Sequence, residues 1–179
     1  MPPEADETTR ATGLIVRPAE PPEYGAIGEL TVRAYATLRD PLRGGPVYAA
    51  YEQELRDVAG RAGTCEVLVA VDRAGRPVGA VTYVPGPGTP WSETELEGEA
   101  GFRALAVDPG VRGRGAGRAL ATACVERARA DGRHGVAILT RPSMTAAHRL
   151  YESLGFVRAP ARDWEFEPGE WLWSYVLTF

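Results

Sequence analysis

The sequence predicts one α/β domain built on a central mixed β-sheet of about seven strands flanked by about four helices. Three stretches predict it. Thr64 to Val71 (T-C-E-V-L-V-A-V) and Val78 to Val84 (V-G-A-V-T-Y-V) are rich in β-formers, and the Asp72 to Pro77 segment between them has turn chemistry, so the two form a hairpin. Leu105 to Leu120 (L-A-V-D-P-G-V-R-G-R-G-A-G-R-A-L) runs from an apolar strand through a glycine-rich turn into a helix. Gly135 to Thr140 is a continuous apolar run of the kind found in strands buried on both faces. With the strand before the helix it makes a βαβ unit, whose two strands lie parallel in one sheet.

The remaining elements follow in order. Residues 1–12 are polar and without apolar periodicity, and are expected to be a disordered leader to a single domain over 13–179. Leu14 to Arg17 reads as a strand stopped by Pro18, and Pro21-Pro22 opens a helix to about Ala36, with Tyr24, Ile27, Leu30 and Ala34 at helical spacing. A second helix is expected from Val47 to about Ala62, where Val47, Tyr51, Leu55 and Val58 share a face. After the hairpin come a long loop over 85–98, a strand from Ala100 to Val107, and the helix following the glycine turn, which stops before Gly132. A helix bearing Ala146, Ala147, Leu150, Tyr151 and Leu154 ends at Gly155, a strand starts at Phe156, and Trp171 to Phe179 is the last strand. The predicted order is β-α-α-β-β-β-α-β-α-β-β.

Composition narrows the chemistry. A net charge of −4 argues against a nucleic-acid partner, so basic residues clustered near Arg112 are a local patch. Every basic residue is Arg, which excludes a P-loop lysine and a Schiff-base lysine. Cys65 and Cys124 fall in strand-like and helix-like runs and read as small core residues, with no disulfide or metal site expected. No signal peptide and no apolar run of membrane-spanning length is found, so a cytoplasmic protein without a membrane partner is expected.

The glycine turn has the outline of an anion site. Its glycines let another molecule approach the backbone closely, and the first turn of the following helix has amides without intrahelical partners. A helix N-terminus favours acids, yet Arg112, Arg114 and Arg118 are gathered here, an arrangement that a bound phosphate would balance. A Rossmann loop would need glycine where Arg118 stands, and a P-loop would need its Gly-Lys pair.

Two motifs resemble those of the GNAT N-acetyltransferase superfamily, which moves an acyl group from acyl-coenzyme A to an amine. Arg112-x-x-Gly115-x-Gly117 is similar to the family's pyrophosphate loop, and Leu150-Tyr151-Glu152-Ser153-Leu154-Gly155-Phe156 to its L-Y-x-x-x-G-F helix end. The resemblance, which covers about Leu14 to Phe179, implies a GNAT-like fold. It implies that amides across Arg112, Gly113, Arg114, Gly115, Ala116, Gly117 and Arg118 hold the pyrophosphate. It also implies that the strand Leu105, Ala106, Val107 pairs with the pantetheine arm as an added strand would. Acetyl-CoA is then the co-substrate, with no metal, and the acceptor is a primary amine of a small molecule or peptide in a ternary complex. A homodimer is compatible with this reading, and no motif specifies it.

Individual residues keep two readings. By spacing, Tyr151 is a core tyrosine beside Leu150 and Leu154; by the resemblance it is the general acid that protonates the departing thiolate. Glu99 is a candidate base or a member of a solvated row with Glu93, Glu95 and Glu97. Relatives commonly carry an acid within the central strand where Gly101 stands, and an Asn near Met144, which leaves Glu97, Glu99 or ordered water to take the proton. A non-catalytic acyl-CoA-binding regulatory module on the same fold is the alternative. His148 reads as a packing residue and His134 as exposed; Trp164, Phe166, Trp171, Trp173 and Tyr175 read as sheet packing, with an acceptor pocket as the alternative.

Overall fold

The computed structural model describes residues 13–38 and 40–179, so the expected leader over 1–12 lies outside the described residues. The elements run β1 (Ile15–Pro18), α1 (Tyr24–Ala36), α2 (Pro46–Arg56), α3 (Val58–Ala62), β2 (Glu66–Val71), β3 (Pro77–Val84) and β4 (Glu99–Val107). They continue with α4 (Ala116–Ala130), β5 (Gly135–Thr140), α5 (Thr145–Ser153), β6 (Val157–Arg158), β7 (Trp164–Glu167) and β8 (Glu170–Thr178). The sheet order is β1-β2-β3-β4-β5-β8-β6, with β7 paired to β8. Every pairing is antiparallel except β4 with β5, the two strands of the βαβ unit.

Helices cover both faces of the sheet, which explains why β2 reads as an unbroken apolar run. Val67, Val69 and Val71 pack with Ile27 of α1 and Val58 of α3, while Leu68 and Ala70 turn to the opposite face. There Leu120, Ala121, Cys124 and Ala128, one stripe of α4, pack into the larger core. Tyr151 and Phe156 belong to the same cluster.

Two elements differ from expectation. The helix expected over Val47 to Ala62 breaks at Asp57, whose backbone (φ −78°, ψ 68°) leaves the helical region. Its carboxylate accepts a hydrogen bond from the Gly60 N–H at 2.8 Å and starts α3, so a polar side chain that periodicity ignores acts as a cap. The second difference is β7, a four-residue strand in a hairpin with β8.

The close seating of α1 against the end of α2 sets the walls of the site described below. Gly28 faces the Arg56 backbone, and a Cβ there would lie 2.7 Å from the Arg56 carbonyl oxygen. The buried Arg61 guanidinium donates to Thr82 Oγ1 at 2.9 Å, to the Leu55 carbonyl at 3.1 Å and to the Glu54 carbonyl, fastening the C-terminus of α2 to β3. Gly28→Ala is expected to lower stability by about 1–3 kcal/mol in urea unfolding, because helix backbones must separate. Gly25→Ala, with nothing within 4 Å of the added carbon, is the matched control and should lower nothing.

Candidate active site

β4 leaves its neighbour partway along. It pairs with β5 only at Glu99↔Gly135, Ala100↔Val136 and Gly101↔Ala137. On its other side the register against β3 slips between Ala80↔Ala106 and Thr82↔Arg103, a bulge at which Ala104 takes φ 53°. From Phe102 onward the β5-facing edge of β4 has no strand partner among the described residues. Backbone groups of Leu105, Ala106 and Val107 thus lie beyond the last β4–β5 pair.

The glycine turn lies at the far end of that edge. Asp108 accepts from the Gly110 N–H at 2.8 Å and from Arg33 Nη2 at 3.1 Å, opening the short turn Pro109–Val111. Gly113 and Gly115 take φ 82° and 85°, a left-handed conformation that side chains resist, and Gly115 caps α4 without a side-chain hydrogen bond. The first intrahelical bond here is Ala119 N–H to Gly115 O at 2.9 Å, so amides of Ala116, Gly117 and Arg118 precede the helical ladder. The arginines divide. Arg112 donates to Thr37 Oγ1 at 2.7 Å and to the Ala34 carbonyl at 3.3 Å, capping the C-terminus of α1, and Arg118 donates to Ser153 Oγ at 2.7 Å. Only Arg114 lacks a partner among the described residues, so the turn holds less uncommitted positive charge than three arginines suggest.

A cavity of about 580 Å³ runs through the gap between the parted strands. Phe102, Ala104, Leu105, Leu139 and Thr140 form its sides, Tyr151 and Met144 contribute from α5 and its approach, and Tyr35, Tyr48 and Tyr51 from α1 and α2. Trp164 and Phe166 of β7 also line it, which sequence reading ranked below sheet packing. Trp173 and Tyr175 instead stack on His148, whose Nε2 lies 3.0 Å from the Arg141 carbonyl, and Trp171 is exposed. His134 is exposed and rests against the Glu97 carbonyl at 3.1 Å.

Tyr151 is 4% exposed, edge-on to Phe102 at 5.8 Å, and burial pushes its phenol well above the usual tyrosine range. Its proton therefore stays on at neutral pH. Glu99 stands elsewhere. It is absent from the cavity wall, and both its oxygens accept from Arg162, at 2.9 and 2.7 Å, while Oε2 also takes the Leu96 N–H. Burial works against this carboxylate's charge, but the Arg162 and Leu96 hydrogen bonds outweigh it and hold the group below its ordinary range. A carboxylate so committed has little capacity to take a proton, and among the members of the acidic row Glu99 is bound to Arg162 and not solvated.

The acidic loop sends other members inward. Glu93 lies on the cavity wall 3.3 Å from Arg103, and Glu95 fills the space above Gly101 so fully that a Cβ there would overlap its carboxylate. Burial raises both carboxyls above the usual range, with Arg103 opposing. In the sequence Arg103 is marked only as the lone charge within the run A-G-F-R-A-L-A-V. Among the described residues no group of three or more His, Cys, Asp or Glu side chains is placed to hold a metal, and no helix is long and apolar enough to cross a membrane.

Residues 29–156 match the acetyltransferase (GNAT) family. This chain belongs to the GNAT acetyltransferase family. Solved GNAT-like structures share its architecture. YncA of Salmonella typhimurium, solved with its cofactor acetyl-CoA, is 22% identical, with a TM-score of 0.64 over 93% of this chain and 94% of its own. A ribosomal-protein-alanine N-acetyltransferase from Brucella melitensis is 21% identical, with a TM-score of 0.65 over 92% and 99% of the two chains. A GNAT family acetyltransferase from the same organism, in complex with acetyl-CoA, is 20% identical, with a TM-score of 0.59 over 93% and 88%. No match is found among curated protein sequences. As a GNAT acetyltransferase, the chain has its family match spanning the parted strands, the glycine turn and the Tyr151 helix.

The Glu99–Arg162 pair joins the start of β4 to the segment before β7, and its pH dependence has a definite sign. A carboxyl with a depressed folded-state pKa contributes stability above the ordinary Glu range, and that contribution is lost as pH falls through the folded value. Glu99→Gln should lower stability at pH 7 by about 1–3 kcal/mol and flatten the loss of stability on acidification, read as thermal midpoint against pH.

Proposed function

We propose that this acetyltransferase carries an acetyl group from acetyl-CoA directly to a primary amine of a small molecule or peptide, with both substrates bound together. The observation that carries this reading is the cavity threading the β4–β5 gap, with a buried, protonated tyrosine on one side and open volume among α1, α2 and β7 on the other. The residues fit the donor. The unpaired edge at Leu105 and Val107 accepts an extended amide-bearing arm, and the amides from Arg112 to Arg118, with Arg114 free, suit a pyrophosphate. The acetyl-CoA carried by two of the similar structures supports this assignment, and the alanine N-acetyltransferase supports a peptide among the candidate acceptors.

In this reading the ammonium first gives one proton to solvent. The amine nitrogen then forms a bond to the acetyl carbon as the carbon–sulfur bond breaks, Tyr151 gives its proton to the sulfur, and the second proton lost by the nitrogen returns the phenolate to phenol through water. Direct transfer leaves both cysteines out of the chemistry. Cys124 is fully buried in the α4 stripe, where burial raises its thiol pKa and so disfavours the thiolate, and the Cys65 thiol is likewise raised by burial. Glu93, on the cavity wall, is the carboxylate that an incoming ammonium meets; Glu99 holds Arg162. A cytoplasmic location suits the two free thiols.

Incubation with acetyl-CoA and polyamines, amino acids, aminoglycosides or peptides should release free thiol with at least one acceptor; acetyl-CoA hydrolysis without acetylated amine would contradict the assignment. Tyr151→Phe is expected to lower kcat about 10²-fold with little change in acetyl-CoA affinity. Gly117→Asp leaves room for its Cβ, whose nearest neighbours lie at 3.6 Å, yet sets a carboxylate beside the proposed phosphate site. Calorimetry should read CoA binding weakened about tenfold or more.

A further inference from the structure

The acceptor side of the cavity has an unbalanced charge inventory. Three carboxylates line it, Glu54, Glu93 and Glu167, together with two guanidinium groups, Arg103 and Arg141. Neither arginine is free to receive an anionic substrate. Arg141 is paired at 3.0 Å with Asp40, whose side chain is 6% exposed, and lies over the Phe166 ring at 5.0 Å. Arg103 is shared by Glu93 at 3.3 Å and Glu54 at 3.7 Å, donates to the Trp91 carbonyl at 3.4 Å, and lies over the Trp91 ring at 5.5 Å. Glu167 has no cationic partner among the described residues. The walls thus hold one carboxylate more than guanidinium groups, and Asp40, which does not line the cavity, offsets Arg141 besides.

Much of the remaining wall is aromatic. Tyr51 and Trp164 line the wall beside these carboxylates, and an aromatic ring next to a carboxylate favours a cation, whereas the Tyr48 ring already has Arg43 over it at 4.8 Å. A carboxylate entering beside Arg103 would be the third acid around one guanidinium, an arrangement that like-charge repulsion with Glu93 and Glu54 opposes.

Building on the acetyl-transfer reading above, we infer that the acceptor is a cationic primary amine with no carboxylate next to the amino group, an amine or diamine of the decarboxylated type and not an α-amino acid. Glu93 and Glu167 draw the ammonium in, and Glu93 also holds Arg103 so that it cannot serve an anionic acceptor. These two carboxylates are specificity-determining residues on the acceptor wall.

The test uses matched pairs, tyramine against tyrosine and cadaverine against lysine, read two ways: thiol release with acetyl-CoA, and calorimetric binding of each amine to the CoA-loaded protein. The decarboxylated member should exceed its amino acid by about 10²-fold in kcat/KM and bind more tightly. Glu93→Gln should shrink that preference, because it removes an attraction for ammonium and frees Arg103 for carboxylate. Glu167→Gln, which frees no arginine, should weaken tyramine and cadaverine while leaving the amino acids unchanged. Tyrosine equal to or better than tyramine in the wild-type protein, or lysine acetylated at its α-amine as fast as cadaverine is acetylated, would overturn the inference, as would CoA binding with no amine bound. If tyramine and cadaverine bind preferentially to the CoA-loaded protein but no thiol is released, the charge reading of the cavity stands and the transferase reading fails.

Discussion

The parting of β4 from β5 after Gly101 is the constraint on which the site depends. A parallel pair hydrogen-bonded to its end would close the sheet and leave no route between its faces. Here the bulge against β3, with Ala104 held at φ 53°, redirects β4 just where pairing with β5 stops. A non-glycine residue in that region costs of order 1 kcal/mol, sustained by the packed core around it. The strain yields an open strand edge and a cavity reaching both layers of helices.

The surrounding interactions preserve that opening. Arg61 ties α2 to β3, Arg112 ties the glycine turn to the end of α1, and Asp40 with Arg141 spans the loop before α2 and the end of β5. Most of these contacts are arginine to carbonyl or carboxylate, in a chain with no lysine at all. The planar guanidinium can donate in several directions at once, which suits a buried strut better than an ammonium does. Arginine therefore serves here largely as structure, and the few groups left uncommitted, Arg114 and Glu167 among them, stand out against that background.

Some of this was legible from residues alone. The hairpin, the βαβ unit, the stripe of α4 and the glycine turn all follow from short-range rules, since periodicity and turn chemistry act within one or two elements. The break at Asp57 and the strand β7 did not. The first depends on a single cap that helical spacing does not weigh, and the second on a hairpin partner supplied by β8. Charge was read least well. Three arginines near Gly113 looked alike in sequence, yet two are spent on Thr37 and Ser153, partners about 75 and 35 residues away.

The sequence by itself determined the fold class, the family motifs and the position of Tyr151 on a helix ending in Gly155, because each is written in neighbouring residues. Only the tertiary structure decided which acid faces the cavity. Glu93, Glu95 and Glu99 alternate along one loop and are equivalent as a string of residues. Arg103, the gap above Gly101 and Arg162 each claim one of them, the first two through the way the loop folds back on β4 and the third from 63 residues further along the chain.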